Sequence, residues 1–149
     1  MARVYLVNHG VLQIAYSIDN TVGSGCVNSR DDVLLVQFFL GVTSQADPNY
    51  VPPGEAPLRI DGVCGNQTVK YIKRYQQRNS QQNPGSVLTT DGRIDPIKRG
   101  VIVGAASGHL LSMLALNFSY KNVRGAQAHA NITTDPVFPA ELRPAISLG

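Results

Sequence analysis

The sequence predicts a mainly α protein: a small helical domain with an N-terminal β-hairpin before it and an extended, proline-rich arm after it. Three observations predict this. Apolar residues recur at helical spacing in "SRDDVLLVQFFLGV", in "QTVKYIKRYQQRN" and from Ser107 to Phe118. Apolar and less apolar residues alternate between Val11 and Ile18, as in a half-buried strand. The tail from Val123 to Gly149 is broken by prolines and carries little periodicity. The divisions fall at 1–20 for the hairpin, 21–122 for the helical domain and 123–149 for the arm.

Bulk properties narrow the class. A chain of 149 residues is long enough for one domain with a real core. Hydrophobic content of 43% with only 15% charged residues fits a folded globular chain. Thirteen Lys and Arg stand against ten acids, a net charge of +3, and no nucleic-acid-binding motif is present, so nucleic acid is not an expected partner. "GHLLSMLALNF" is too short to span a bilayer, so no membrane insertion is expected. "MARVYLVNHG" lacks the apolar core and cleavage site of a signal peptide. The expectation is synthesis in the cytoplasm, with export by a secretion machine that reads no N-terminal signal, or residence in a phage or phage-tail-like particle.

The elements follow in order. "RVYLVNHGVLQIAYSI" reads as two strands flanking a turn at Asn8-His9-Gly10. Leu12, Ile14, Tyr16 and Ile18 form the more apolar face of the second strand. A two-stranded hairpin alone is marginal in water, so that face must cover the core or meet a partner chain. "DNTVGSGCVNS" is a turn-rich linker ending at Ser29, a good N-cap, with Asp31 and Asp32 in the first turn where the helix dipole favours acids. Val33, Val36, Phe39 and Leu40 give this helix its apolar stripe, and Gly41 marks its expected end. "TSQADPNYVPPGEAP" is a loop. A second helix starts at Gly65 or Asn66, with Val69, Ile72 and Tyr75 or Gln76 on its buried face and Lys70, Lys73, Arg74 and Arg78 elsewhere. A further loop runs to Pro96. "IKRGVIVGAASG" is ambiguous, because its glycines weaken both helix and strand. Leu110, Leu111, Leu114 and Phe118 define a late helix.

No reactive constellation assembles in the sequence. The two Asp-Gly loops, at Asp61-Gly62 and Asp91-Gly92, lack the alternating oxygen ligands and closing Glu of a calcium loop. "DGVCGNQT" lacks the Gly-Lys-Ser/Thr end of a phosphate loop. Ser107-Gly108-His109 opens like the Ser-x-His pattern of zinc peptidases, but Ser112, Leu114 and Leu116 stand where that pattern wants Gly, Ala and Asp. His129-Ala130-Asn131 misses the second His of a metal pair. His9 reads as a turn residue and His109 as a helix-start residue. No enzyme activity, metal or cofactor is expected. Cys26 and Cys64 are not a zinc or scaffold pattern, and either separate thiols or a single bridge fits them.

Taken together, "DDVLLVQFFL", "IDGVCGNQTVKYIKRYQ" and "VLTTDGRIDP" resemble the peptidoglycan-binding-like domain of bacterial cell-wall proteins. Val33, Val36, Gln37 and Leu40 match that family's first helix. Asp61, Gly62, Gly65 and Thr68 match its Asp-Gly-x-x-Gly-x-x-Thr loop. Tyr75-Gln76 replaces the usual Phe-Gln, and Asp91-Gly92 matches the second Asp-Gly, with Asp95 where the family has Gly. The resemblance covers roughly residues 22–97, and the chain also looks like a branch found beside type VI secretion and phage-tail-like machinery.

The resemblance implies a small three-helix bundle and a noncatalytic module that binds peptidoglycan or muropeptide. In that reading Asp61, Lys70, Tyr71, Arg74, Asp91 and Arg93 contact the ligand, by stacking on sugar or pairing with carboxylates. Gln37, Gly62, Gly65, Thr68, Tyr75, Gln76 and Gly92 build the motif, the glutamine amides bonding loop backbone. Cys64 takes a position where Phe is common, so it should pack on the core. The alternative is a structural or adaptor protein that uses the same fold for protein assembly, with a protein partner or self-association at the hairpin edge.

Overall fold

A computed structural model of the chain describes residues 3–9, 12–97 and 111–148. The architecture is mainly helical. Four helices, α1 (Arg30–Ala46), α2 (Asn66–Gln82), α3 (Ser112–Arg124) and α4 (Ala126–Ala130), are accompanied by short strands and 3-10 turns.

Helix α1 is the centre of the core. Every residue from Asp32 to Ser44 is buried, so the helix meets protein on all sides rather than on one stripe. Phe38 and Phe39 each place their rings 5.5 Å from the ring of Tyr120 in α3. Ser29 occupies the N-cap position without bonding a helix amide through its side chain. Its Oγ instead accepts from the Asn20 side chain, while the Asp32 carboxylate accepts the Asp19 and Asn20 backbone N–H groups at 3.2 and 3.0 Å. The expected stop at Gly41 is corrected: the helix runs on to Ala46, and Gly41 is interior. A Cβ at Gly41 would lie 3.5 Å from Ile60 Cδ1, so the glycine sits where the following loop crosses the helix.

The strands β1 (Arg3–His9) and β2 (Leu12–Ser17) pair antiparallel, Leu6 opposite Ile14 and Arg3 opposite Ser17. His9 lies in β1, opposite Leu12, rather than in the turn. The end of β2 is buried on both faces, Ala15 and Ser17 as completely as Tyr16 and Ile18. Both hairpin edges are engaged. On one side β5 (Ser147–Leu148) pairs parallel to β1 at Arg3 and Val4. On the other, Asn117 of α3 accepts the Tyr16 N–H at 2.8 Å and donates to the Tyr16 carbonyl at 2.9 Å. This side chain replaces a neighbouring strand.

A second, two-stranded sheet pairs β3 (Val22–Gly23) with β4 (Arg93–Ile94). It ties the linker before α1 to the second Asp-Gly loop. A Cβ at Gly23 would stand 2.5 Å from the Gly92 carbonyl oxygen, so the two backbones meet only because Gly23 has no side chain.

The tail departs from the extended arm expected of it. Residues 126–145 form α4 and two 3-10 turns, Ile132–Thr134 and Ala140–Ala145. Ile132, Phe138 and Leu142 are buried in the core, and the Phe138 ring meets Phe38 edge-on at 5.1 Å. Proline breaks the periodicity without preventing these turns: Pro139 caps the start of the last one, and Pro144 lies within it. Most of "IKRGVIVGAASG", with Ser107, Gly108 and His109, lies outside the described residues.

Candidate functional site

The two Asp-Gly loops are held in the same way. Gln37, buried in α1, accepts the Asp61 and Gly62 N–H groups through Oε1, at 3.1 and 2.9 Å. Its Nε2 lies 3.1 Å from Asp61 Oδ1, 3.0 Å from the Val63 carbonyl and 3.0 Å from Thr68 Oγ1. Gln76, buried in α2, repeats the arrangement. Oε1 accepts the Gly92 N–H at 3.0 Å, and Nε2 reaches Asp91 Oδ1, the Arg93 carbonyl and Ser112 Oγ at 3.1, 2.9 and 3.1 Å. Each Asp also accepts the N–H two residues on, at 3.0 Å in both loops. These are Asx turns closed by a buried amide. The Val63 N–H, helped by Gln37, holds the Asp61 carboxyl below the usual carboxylate range.

The glycines follow from that geometry. Gly62 and Gly92 have φ of 77° and 71°, a region L side chains resist. Each also lies beneath a basic side chain: an added Cβ would meet Arg30 Nη1 at 2.8 Å or Lys73 Cε at 2.9 Å. Arg30 donates to the Asp61 carbonyl and makes a bidentate pair with Glu141, at 2.9 and 2.7 Å, which fastens the last 3-10 turn to the first loop. Gly65 is the N-cap residue of α2. Tyr75 is buried, and its hydroxyl bonds Ser119 at 2.7 Å.

The six residues expected at a ligand separate into two groups. Lys70, Tyr71 and Arg74 face the proline-rich loop, whereas Asp61, Asp91 and Arg93 belong to the Asp-Gly loops. Tyr71 is only 1% exposed and its hydroxyl donates to the Ala56 carbonyl at 2.7 Å, so its ring packs in the core and offers no face to a sugar. Lys70 pairs with Glu55 at 2.9 Å, and Arg74 Nε donates to the Asn49 carbonyl at 2.8 Å. Asp61 and Asp91 each use one oxygen within their turns. Arg93 is exposed and Nε lies 3.4 Å from Cys26 Sγ.

Two concavities flank these groups. A mostly apolar groove of about 310 Å³ runs between α1 and the loop after it, walled by Gly41, Val42, Val51, Leu58, Ile60 and Tyr71, with Glu55 among its lining residues. A polar hollow of about 70 Å³ lies beside the second loop, lined by Asp91, Arg93, Asp95 and Ser112. The groove has the size and lining of a small-ligand site. Among the described residues no three His, Cys, Asp or Glu side chains gather to hold a metal, and no helix is long and apolar enough to cross a membrane.

His129, which in the sequence fails to complete a His-x-His pair, is a buried residue of α4. It is 3% exposed, and Nε2 lies 3.0 Å from Asn117 Oδ1. Because Asn117 uses its amide nitrogen on Tyr16 and Met113, its oxygen is the acceptor and His129 carries its proton on Nε2. Burial lowers the imidazole to about 4, assisted by the charge of Lys121. Asp135 accepts the Tyr120 hydroxyl at 2.7 Å and pairs with Arg124 at 3.2 Å. Burial, then this hydrogen bond, pushes the Tyr120 phenol up. Ser112, the counterpart of Thr68, was missed, because it lies much further past its Asp-Gly pair than Thr68 does.

Comparison of the chain with protein-family models, curated proteins and solved structures gives no match.

Proposed function

We propose that the protein is a noncatalytic module that binds bacterial peptidoglycan, built as a small three-helix bundle and carried by a secretion or phage-tail-like machine. The observation that carries this reading is the doubled glutamine clamp. The resemblance in sequence implies two Asp-Gly loops fixed by helix glutamines, and what supports it is that Gln37 and Gln76 each receive the loop glycine N–H and reach the loop Asp, with Gln37 alone also accepting the Asp N–H. The groove beside Lys70 and Glu55 supplies the place for the ligand. Its apolar wall suits the methyl groups of a stem peptide, and the charged pair at its edge suits the peptide's amine and carboxylates.

Co-sedimentation of the full chain with purified sacculi tests the reading. Retention at low salt, without release of soluble muropeptides, is the expected result. A chain that stays in solution at low salt while remaining monomeric would end it.

A second reading, protein assembly through the same fold, is favoured by one specific observation. Tyr71, Lys70 and Arg74 spend their polar groups on the chain itself. Concentration-dependent oligomers in sedimentation equilibrium, with no sacculus retention, would select it. Strand pairing at the hairpin is the less suited route, since β5 and Asn117 already engage both edges.

A further inference from the structure

Among the described residues that line the apolar groove, Glu55 alone is charged. Its side chain is 21% exposed and that of Lys70 is 59% exposed, so the carboxylate is the sunken member of the pair and the ammonium, 2.9 Å away, the outer one. Lys70 bonds Glu55 Oε1, and among the described residues Oε2 accepts no hydrogen bond. Side chains of α2 fix the loop that carries Glu55. The Tyr71 hydroxyl donates to the Ala56 carbonyl at 2.7 Å, and Gln67 Nε2 donates to the Ala56 and Pro57 carbonyls, each at 3.3 Å. The Glu55 N–H closes a turn on the Pro52 carbonyl at 3.1 Å. A carboxylate with a spare acceptor is thus held beside an apolar wall of Val42, Leu58 and Ile60, with a positive charge at its outer edge.

On the peptidoglycan reading above, on which this inference rests, we propose that the groove takes the side chain of diaminopimelate, the diamino acid of one class of stem peptide, and that Glu55 and Lys70 together read the ammonium and carboxylate at its end. The methylenes lie along the apolar wall. The ammonium donates to Glu55 Oε2, and the carboxylate accepts from Lys70, which has donors to spare. The four charges then alternate in sign, so each has an opposite neighbour.

Competing ends of the peptide fit worse. The lysine of another class of stem peptide brings an ammonium alone, which Glu55 attracts and Lys70 repels. A terminal alanine brings a carboxylate alone, and the signs reverse. Cross-linking acylates the diaminopimelate amine and removes its charge, so the pair favours stems not yet joined there.

Isothermal titration calorimetry of the full chain with soluble tripeptides provides the test. The probe is L-alanyl-γ-D-glutamyl-meso-diaminopimelate. Its three analogues carry lysine instead, an amide on the terminal carboxylate, or an acetyl group on the terminal amine. Each analogue should bind about fivefold more weakly, the loss of one partly exposed charge contact. In Lys70→Met the amide should lose its disadvantage and the acetyl analogue keep it, and Glu55→Gln should do the reverse. Sacculus co-sedimentation of the same sample separates this inference from the reading beneath it. Retention on sacculi with equal affinity for all four tripeptides, or with no measurable affinity for any, would overturn the inference and leave the peptidoglycan reading standing. Loss of retention would end both.

Discussion

Gln37 and Gln76 do the same work in successive helices: each spends its whole side-chain amide on the Asp-Gly loop that follows its helix and on the first turn of the next one. Nε2 to Asp Oδ1 is 3.1 Å in both, and Oε1 receives the glycine N–H in both. The loops are therefore parts of the core that happen to reach the surface.

Replacing either glutamine by Ala leaves buried loop N–H and carbonyl groups without partners. About 2–4 kcal/mol of stability should be lost in each case, read from urea denaturation midpoints. Gln→Glu should be nearly as damaging, because the new oxygen would face an Asp carboxylate and a carbonyl with no hydrogen to donate.

The glycines should divide into two kinds. Gly62→Ala and Gly92→Ala force φ near 70–80° on a side chain that also strikes Arg30 or Lys73, so each should cost roughly 1–2 kcal/mol. Gly41→Ala should instead stabilise by about 0.5–1 kcal/mol, since its Cβ makes ordinary contact with Ile60 in a helix interior. Thermal midpoints of the three variants check the split.

His129 predicts a pH dependence of a definite sign. Its folded value of about 4 lies below its unfolded value of 6.5, so the unfolded chain binds more protons between them. The stability that neutral His129 carries is complete above about pH 6.5 and is lost as pH falls toward 4, by about 3 kcal/mol. The groups facing it are Tyr16, Tyr120, Asn117 and Lys121, and none is a carboxylate that would reverse the sign. His129→Gln should flatten that part of the stability-against-pH curve.

On the peptidoglycan reading, Ile60→Arg should abolish sacculus retention while leaving the far-ultraviolet circular dichroism spectrum intact, because Ile60 is 37% exposed at the groove. Lys70→Ala should weaken retention by less than about tenfold. It breaks an exposed pair with Glu55 that is worth about 0–1 kcal/mol to the fold.

What was legible in the sequence was local. The start of α2 and the Asp-Gly turns follow from residue types and spacings within a few turns of chain, while the bonding of Gln37 and Gln76 to the loops is what the family resemblance implies. What escaped depended on partners distant in sequence. Gly41 reads as a stop until Ile60 is seen crossing the helix. Tyr71 reads as an exposed aromatic until the Ala56 carbonyl of the proline-rich loop covers its hydroxyl. The tail reads as an extended arm because Phe138 and Leu142 find their partners in α1 rather than in one another. Ser112 could have been sought as the second hydroxyl, but the long gap after Asp91 conceals it.

Amide hydrogen exchange at Gly62 and Gly92 tests the central claim most directly. Both amides lie in loops, yet both are buried and donate to glutamine oxygens. They should exchange as slowly as the interior amides of α1 and α2, and each should become fast when its own glutamine, Gln37 or Gln76, is replaced by Ala. Wild-type exchange as fast as that of the exposed turn residue Gly54 would contradict the account.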